Sequence, residues 1–296
     1  AKSLGRLGRT NSSHEALRST AQAQPRVTPG EPRSMVFTFL QMHFNRLSGG
    51  LVSPPRSYGS APQGGWNVLL IHAHPLKGSF SSYLAHAVCD TLRGAGHRVE
   101  MVNLYEFDGG KPLNPVLTIA ERERYFLGTP PSPYPAPSSD IAPLVQSLRS
   151  ADALVFVYPT WWMGVPAILK GFFDRAFLPG ISFKLPGVQG EPANLSGALI
   201  PGLPNIKKVG VVTTYGAPRY LVAVAGDLGH GLIARAILPL FNPECTILWQ
   251  GLYGMDNTTA KGRDAFVGEV RAAYRGFLPA PPGPGETVPV TPAAAA

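Results

Sequence analysis

The sequence predicts an α/β fold in which a five-stranded parallel sheet carries helices on both faces. Between residues 66 and 278, short apolar runs rich in β-branched residues alternate with segments whose apolar residues recur at helical spacing. This alternation is typical of parallel sheets, because each strand is buried on both faces and needs a crossover helix to reach the next strand. Five runs qualify as strands: Asn67 to His72, His97 to Asn103, Ala153 to Tyr158, Val209 to Thr214, and Cys245 to Trp249.

Three segments with helical periodicity follow the first, third and fifth strands. The first has its apolar face at Phe80, Tyr83, Leu84, Ala87, Val88 and Leu92. The second has its apolar face at Ile168, Leu169, Phe172, Phe173, Ala176 and Phe177. The last, from about Thr259 to Leu278, has its apolar face at Phe266, Val270, Ala273, Tyr274 and Phe277. Crossover helices between parallel strands predict the spatial strand order 2-1-3-4-5, with a switch point between strands 1 and 3.

Two long connections interrupt the pattern of strands and helices, and a tail stands at each end. The connections run from Tyr105 to Pro137 and from Pro179 to Asn205, and loops of this length are usually functional or disordered. Composition predicts a disordered basic extension over residues 1–65, a folded domain over 66–278, and a disordered tail over 279–296. The extension has three interpretations: an organelle import segment, a plain disordered extension, or upstream sequence read before a start at Met35.

The net charge of +8 lies mostly in the extension, which holds eight Lys or Arg residues against two Glu. The folded part is therefore nearly neutral, and nothing in its charge indicates a nucleic-acid partner. No apolar run reaches the roughly 20 residues of a transmembrane helix. The two cysteines, Cys89 and Cys245, are too few for a disulfide framework and form no C-x-x-C motif, so we expect a reducing compartment. We therefore expect a cytoplasmic protein, with organelle import as the alternative.

The segment Tyr158 to Pro166 places two adjacent tryptophans, Trp161 and Trp162, directly after a strand. Ligands of open α/β sheets bind outside the carboxyl ends of the strands, so this corner is a candidate platform for a flat ring. Pro166 suits the first turn of a helix that follows. The alternative is that both tryptophans belong to the hydrophobic core.

The first strand ends at His72, and the loop that follows it leads through His74 to a helix that begins near Ser79 to Ser82. This loop is a candidate anion site. Free backbone N–H groups and the positive end of the helix dipole favour a phosphate there. The alternatives are an ordinary helix cap formed by Ser79 or a metal site at His72 and His74. The metal site is disfavoured, because no further ligand stands at recognisable spacing.

The fourth strand ends in a loop with hydroxyls, a glycine and two tyrosines, from Thr213 to Tyr220. Such a loop fits a polar heterocycle, because Gly216 allows close backbone approach and the tyrosines supply apolar walls. A structural turn explains Gly216 and Pro218 equally well. Lys77 and Arg219 are either attractors of a phosphate or solvated surface charges.

Together these segments resemble the flavodoxin-like NAD(P)H:quinone oxidoreductase family, the relatives of DT-diaphorase. The resemblance is carried by His74 with Ser79-Phe80, by Ala151-Asp152, and by the run from Pro159 to Arg175, in which Gly164 to Gly171 is most diagnostic. It covers roughly Trp66 to Phe277 and implies a flavodoxin-like sheet and a bound flavin, FAD or FMN.

The resemblance also implies a role for each loop. The phosphate and ribityl part would be held by His74, Ser79, Phe80 and Ser81. The isoalloxazine would be lined by Pro159, Thr160, Trp161, Trp162, Met163 and Gly164. Its pyrimidine side would contact Thr213, Thr214, Tyr215 and Gly216. Tyr220 and Trp162 are the candidate catalytic residues, whereas the family's histidine, six residues beyond the tyrosine, is replaced by Gly226, and the nearest histidine is His230.

The activity that the resemblance implies is a two-electron hydride relay from NADH or NADPH through the flavin to a quinone-like acceptor, in a homodimer. A rival from another class is a regulatory flavoprotein subunit of a potassium-efflux-type transporter. A third possibility is a flavodoxin-like scaffold that binds no flavin. Turnover of NAD(P)H with an added quinone distinguishes the enzyme from both.

Overall fold

A parallel sheet forms the centre of the computed structural model, which describes residues 62, 64–126, 134–187, 191 and 198–281. Its strands are β1 (Asn67–His72), β2 (Arg98–Asn103), β3 (Ala153–Pro159), β6 (Lys208–Tyr215) and β7 (Thr246–Tyr253). A separate antiparallel pair, β4 (Phe183–Lys184) and β5 (Ile200–Pro201), lies in the second long connection. The predicted tail beyond residue 281, and the predicted basic extension apart from residues 62, 64 and 65, lie outside the described residues.

The order of the sheet is β2-β1-β3-β6-β7 with all pairs parallel, which confirms the predicted order 2-1-3-4-5. The last strand was predicted to end at Trp249, but it pairs with β6 along its whole length, as far as Tyr253 opposite Tyr215. Gln250 and Gly251 interrupt the apolar run and hide this extension in the sequence. An edge strand needs less continuous apolar character than a central one, because part of it faces solvent.

Helices cover both faces of the sheet. Their bounds are α1 (Phe80–Gly94), α2 (Ile119–Glu123), α3 (Ala142–Ser150), α4 (Ala167–Ala176), α5 (Arg219–Val224), α6 (Leu228–Gly231) and α7 (Ala260–Phe277). A π-helical turn (Leu232–Ile237) follows α6, and short 3-10 turns span Leu104–Glu106, Leu238–Leu240 and Met255–Asn257.

Two hydrophobic layers join the helices to the sheet. On one face, α1 and α7 pack on strand residues such as Leu70, Val155 and Val212. On the other face, α3 and α4 pack on Leu69 and Phe156 and their neighbours. Tyr83, predicted on the buried face of α1, is instead exposed beside Phe80, and the two rings stack with centroids 6.4 Å apart.

The first long connection is fastened to α4 by a buried cation. The guanidinium of Arg175 donates to Glu121 Oε1 from Nε (2.9 Å) and from Nη2 (2.7 Å), and also to Asp140 and to the carbonyl of Asn114. Burial by itself raises the pKa of Glu121, but hydrogen bonds from Arg175, Thr118 and Ser138 outweigh it and lower that pKa to about 2. The Arg175 cluster therefore fixes the connection against the helix that follows β3.

Gly171 also allows the first long connection to pack against α4. A Cβ atom at this position would lie 2.3 Å from the Cα of Pro115, so only glycine lets the connection approach α4. The run from Gly164 to Arg175, which carries much of the resemblance, therefore has a structural role in its second half.

Candidate functional site

The three loops predicted to converge do meet at the carboxyl edge of the sheet, because β1, β3 and β6 are neighbours. Backbone hydrogen bonds run from Ala73 N to Val157 O (3.1 Å) and from Thr160 N to Thr214 O (2.8 Å). The hydroxyls of Thr160 and Thr213 lie 3.0 Å apart. The ring centroids of His74 and Trp161 are 6.1 Å apart, which joins the first and second loops.

The second loop folds into a tight turn that we call the tryptophan turn (Trp161–Gly164). Trp161 and Gly164 exchange two backbone hydrogen bonds, of 3.1 and 3.0 Å. Between them, Trp162 and Met163 have φ angles of 52° and 58°, a left-handed conformation that bulky residues rarely adopt. The Trp162 side chain is 98% exposed and that of Trp161 is 41% exposed. Neither tryptophan belongs to the core, so the alternative of core packing is wrong.

Strain of this kind costs on the order of 1 kcal/mol or more for each residue and persists where the surroundings impose it. An exposed indole makes no packing contacts that would offset the cost. Among the described residues, the backbone N–H groups of Trp162 and Met163 have no hydrogen-bond acceptor. The turn therefore presents two free donors and an unused aromatic face at the sheet edge.

The β1–α1 loop offers mainly backbone donors. Ser79 is the N-cap of α1, since its Oγ accepts the Ser82 N–H at 3.1 Å, and the side chain of Ser81 is buried. In the described part of the chain, the N–H groups of Phe80 and Ser81 have no acceptor. His74 Nδ1 accepts the Leu76 N–H (3.0 Å), and burial lowers the pKa of His74. Because the Ser79 hydroxyl serves as the helix cap, the free donors of this loop are the N–H groups of Phe80 and Ser81, a kind of donor that suits an anion.

His72 is a structural residue. Its Nδ1 donates to the Val157 carbonyl (3.0 Å), and its Nε2 lies 2.9 Å from Ser82 Oγ, so it ties β1 to β3 and α1. Both ring nitrogens are therefore engaged within the protein. No cluster of three or more His, Cys, Asp or Glu that could hold a metal ion occurs within the described ranges. Burial lowers the pKa of His72 to about 4.

This shift predicts a loss of stability in mild acid. The pKa is about 6.5 in the unfolded chain and about 4 in the folded one, so the contribution of His72 is complete above pH 6.5. It is lost as the pH falls towards 4, by about 3 kcal/mol. Urea unfolding at pH 7 and pH 4.5 measures the loss, and a His72→Gln variant should show a smaller one. Equal losses in both proteins would contradict the assignment to His72.

The third loop differs from the prediction at Tyr215. Thr213, Thr214 and Tyr215 are buried, and the loop reaches the surface from Gly216 onward. The Tyr215 ring stacks on Tyr253 with centroids 4.4 Å apart and planes 4° apart. The ring is therefore covered by β7, because the longer last strand places Tyr253 opposite it. The prediction that Tyr215 forms an open wall for a ligand is wrong in this structure.

Tyr220 lies in the first turn of α5 with 59% of its surface exposed. His230 is not its partner: its ring packs against Trp249 of β7, with centroids 4.7 Å apart. Burial lowers the pKa of His230, although Asp227 opposes the shift. Asp227 directly follows Gly226, which stands in place of the family's histidine. Its carboxylate oxygens accept the Tyr215 hydroxyl at 3.2 and 3.1 Å.

Sequence reasoning missed Asp227 and the loop after β7. The 3-10 turn Met255–Asn257 lies beside Gly216, where a Cβ would lie 2.7 Å from Asp256 Oδ2, and Gly254 N donates to Ala217 O (3.0 Å). A lone acidic residue in the otherwise acid-free stretch from Pro218 to Phe241 was the available signal for Asp227. No helix in the described ranges is long and apolar enough to span a membrane.

Comparisons with known proteins agree with this architecture. A family model described as flavodoxin-like fold matches residues 66–237. Human ribosyldihydronicotinamide dehydrogenase (quinone) is 33% identical over 145 residues, which cover 45% of this chain and 62% of the human protein. The chain thus matches less than two thirds of that relative's length.

Two solved structures share the fold. The NAD(P)H:quinone oxidoreductase of Methanothermobacter marburgensis aligns with a TM-score of 0.54 and 24% identity, over 71% of this chain and 96% of that chain. An FMN-dependent NADH-azoreductase of Bacillus anthracis in complex with FMN aligns with a TM-score of 0.52 and 17% identity, over 71% and 98%.

Proposed function

Because the chain belongs to the family with the flavodoxin-like fold, we propose that it is a flavin-dependent NAD(P)H:quinone oxidoreductase. The names of the human relative and of the Methanothermobacter structure, which mention quinone, support this proposal. The FMN-bound azoreductase supports a flavin on the same fold. The observation that carries the proposal is the tryptophan turn, which holds an exposed indole and two free N–H groups at the switch point of the sheet.

The donors of the site fit a flavin. The N–H groups of Phe80 and Ser81 stand at the positive end of the 15-residue helix α1, where a phosphate is stabilised. The N–H groups of Trp162 and Met163 suit the polar edge of the isoalloxazine, and the two indoles suit its flat face. Pro159, Thr160 and Gly164 shape the floor, and Thr214 and Gly216 provide backbone near the pyrimidine side.

A bound flavin would supply the hydride transfer from NADH or NADPH to the quinone acceptor. The protein binds the phosphate through α1, orients the ring through the tryptophan turn, and excludes water with Trp161 and Trp162. Tyr220 is our candidate for the group that holds a proton beside the acceptor, since its side chain is exposed at the rim. Trp162 is the candidate stacking residue.

Two finer points belong to the same proposal. The cofactor that we propose is FAD, with FMN as the alternative that the azoreductase complex supports. We also propose a homodimer. Apolar side chains are exposed in the tryptophan turn and in the segment from Tyr220 to Leu228, and a second subunit would cover them. These side chains are Trp162, Tyr220, Leu221, Val224 and Leu228.

Purified protein tests the proposal. We expect a flavin absorbance spectrum, a released cofactor whose mass identifies FAD or FMN, and oxidation of NADH or NADPH that requires an added water-soluble quinone. Failure to bind either flavin after reconstitution would overturn the proposal. Flavin binding without turnover of NADH or NADPH would favour the regulatory flavoprotein instead.

A further inference from the structure

Asp227 has a backbone conformation that marks it as constrained. Its φ and ψ angles are 40° and 67°, in the left-handed region, and its N–H donates to the Val222 carbonyl (3.1 Å). Aspartate visits this region more readily than most residues, yet the conformation persists only when surrounding contacts impose it. The contacts of its carboxylate identify what those surroundings are.

The carboxylate joins two elements. Both oxygens accept the hydroxyl of Tyr215 at the end of β6, and Oδ1 also accepts the His230 N–H (3.3 Å), which caps α6. Burial raises the pKa of Tyr215 well above its ordinary value, and the negative charge of Asp227 adds to the rise. The phenol therefore remains a donor to this carboxylate at all physiological pH values.

The capped segment α6 in turn contacts the tryptophan turn. The Gly229 N–H donates to the Met163 carbonyl at 3.3 Å. A Cβ at Gly229 would lie 3.3 Å from the Tyr158 hydroxyl and 3.7 Å from the Gly164 carbonyl carbon, so α6 lies directly against the turn and the end of β3. Hydrogen bonds at both ends of the α6 backbone thus link Tyr215 and Asp227 to Met163.

We propose that Asp227 is a positioning residue of the active site, which holds the tryptophan turn in its left-handed conformation through α6 and Tyr215. The inference rests on the proposed function in one respect, because the turn is the segment proposed to orient the flavin. Trp162 and Met163 need an external constraint, and the Gly229 to Met163 hydrogen bond supplies one at the strained residue itself. The fixed turn keeps its free N–H groups aimed at one place, which is how preorganised donors act.

Three variants test the proposal. Asp227→Ala removes both acceptor oxygens, Tyr215→Phe removes only the phenol bond, and Asp227→Asn keeps an acceptor oxygen and tolerates the left-handed backbone. The first readout is amide hydrogen exchange of the peptide 158–165 in flavin-free protein, referred to the β1 peptide 67–72 of the same molecule. The second is the rate of flavin release.

We expect Asp227→Ala to speed exchange of the turn relative to β1 by at least about fivefold, the size of a lost helix cap. Flavin release should accelerate by a similar factor, Tyr215→Phe should give a smaller change, and Asp227→Asn should restore both values to within about twofold of the unmodified protein.

Unchanged exchange of the turn in Asp227→Ala would overturn the proposal, as would an Asn variant that behaves like the Ala variant. Because exchange is measured without flavin, the test separates the two proposals. A protein that binds no flavin defeats the proposed function, yet its exchange rates still decide the role of Asp227.

Discussion

Replacement of Trp162 by glycine should stabilise the flavin-free protein by about 1 kcal/mol and weaken flavin binding at least about tenfold. Glycine adopts positive φ without a steric penalty, and the indole, 98% exposed, makes no packing contacts that the variant would lose. Flavin affinity should fall because the largest apolar surface of the site is removed. A gain in folding stability together with a loss of flavin affinity is the result expected for a residue that is retained for function.

Urea unfolding of flavin-free protein and flavin titration measure the two effects. Val116→Gly is a matched control, since Val116 is also an exposed apolar loop residue but does not have positive φ. That variant should gain no stability and should bind flavin normally. A destabilised Trp162→Gly protein with unchanged flavin affinity would show that the tryptophan turn is a structural element and would move the site elsewhere.

Substitution of Arg175 by methionine should destabilise the fold by about 3 to 5 kcal/mol, because it leaves the carboxylate of Glu121 without its partner. The guanidinium is 2% exposed and donates to Glu121 and Asn114 on the first long connection and to Asp140 just beyond it. Gly171→Ala should have a large effect of the same sign, since the new Cβ would overlap the backbone of Pro115. Both variants separate α4 from the connection.

Lys170→Met is the control on the same helix. Lys170 pairs with Asp174 at 2.6 Å, but both side chains are largely exposed, so the pair contributes a few tenths of a kcal/mol at most. Thermal and urea unfolding of the three variants should rank them accordingly. A loss below about 1 kcal/mol in Arg175→Met would mean that the connection is held by apolar contacts instead.

Much of the fold was predictable because it follows from local pattern. The strands β1 and β3 are continuous apolar runs, and a strand buried on both faces must be apolar at every position, so their bounds were predicted to within one residue. The N-cap of α1 at Ser79 is likewise a local signal. The end of β7 was missed since its pairing with β6 continues through Gln250 and Gly251, where the sequence has no strand character.

The sequence predicts which loops form the candidate site, but it does not predict which of their side chains are exposed. Strand order alone brings the loops after β1, β3 and β6 to one edge, so the sequence predicts that they meet. Whether a side chain in such a loop is exposed depends on what another segment places over it. Tyr253 covers Tyr215, whereas nothing in the described structure covers Trp162.

The sequence by itself determined the parallel sheet, its strand order and the three loops at its carboxyl edge, because hydrophobic periodicity is a property of neighbouring residues. Only the tertiary structure decided the left-handed tryptophan turn, the link from Asp227 to Met163 and the burial of Arg175. The contacts of Arg175 with Glu121 and of Gly229 with Met163 join residues tens of positions apart. Contacts across that distance have no local pattern, since they form only when the chain folds.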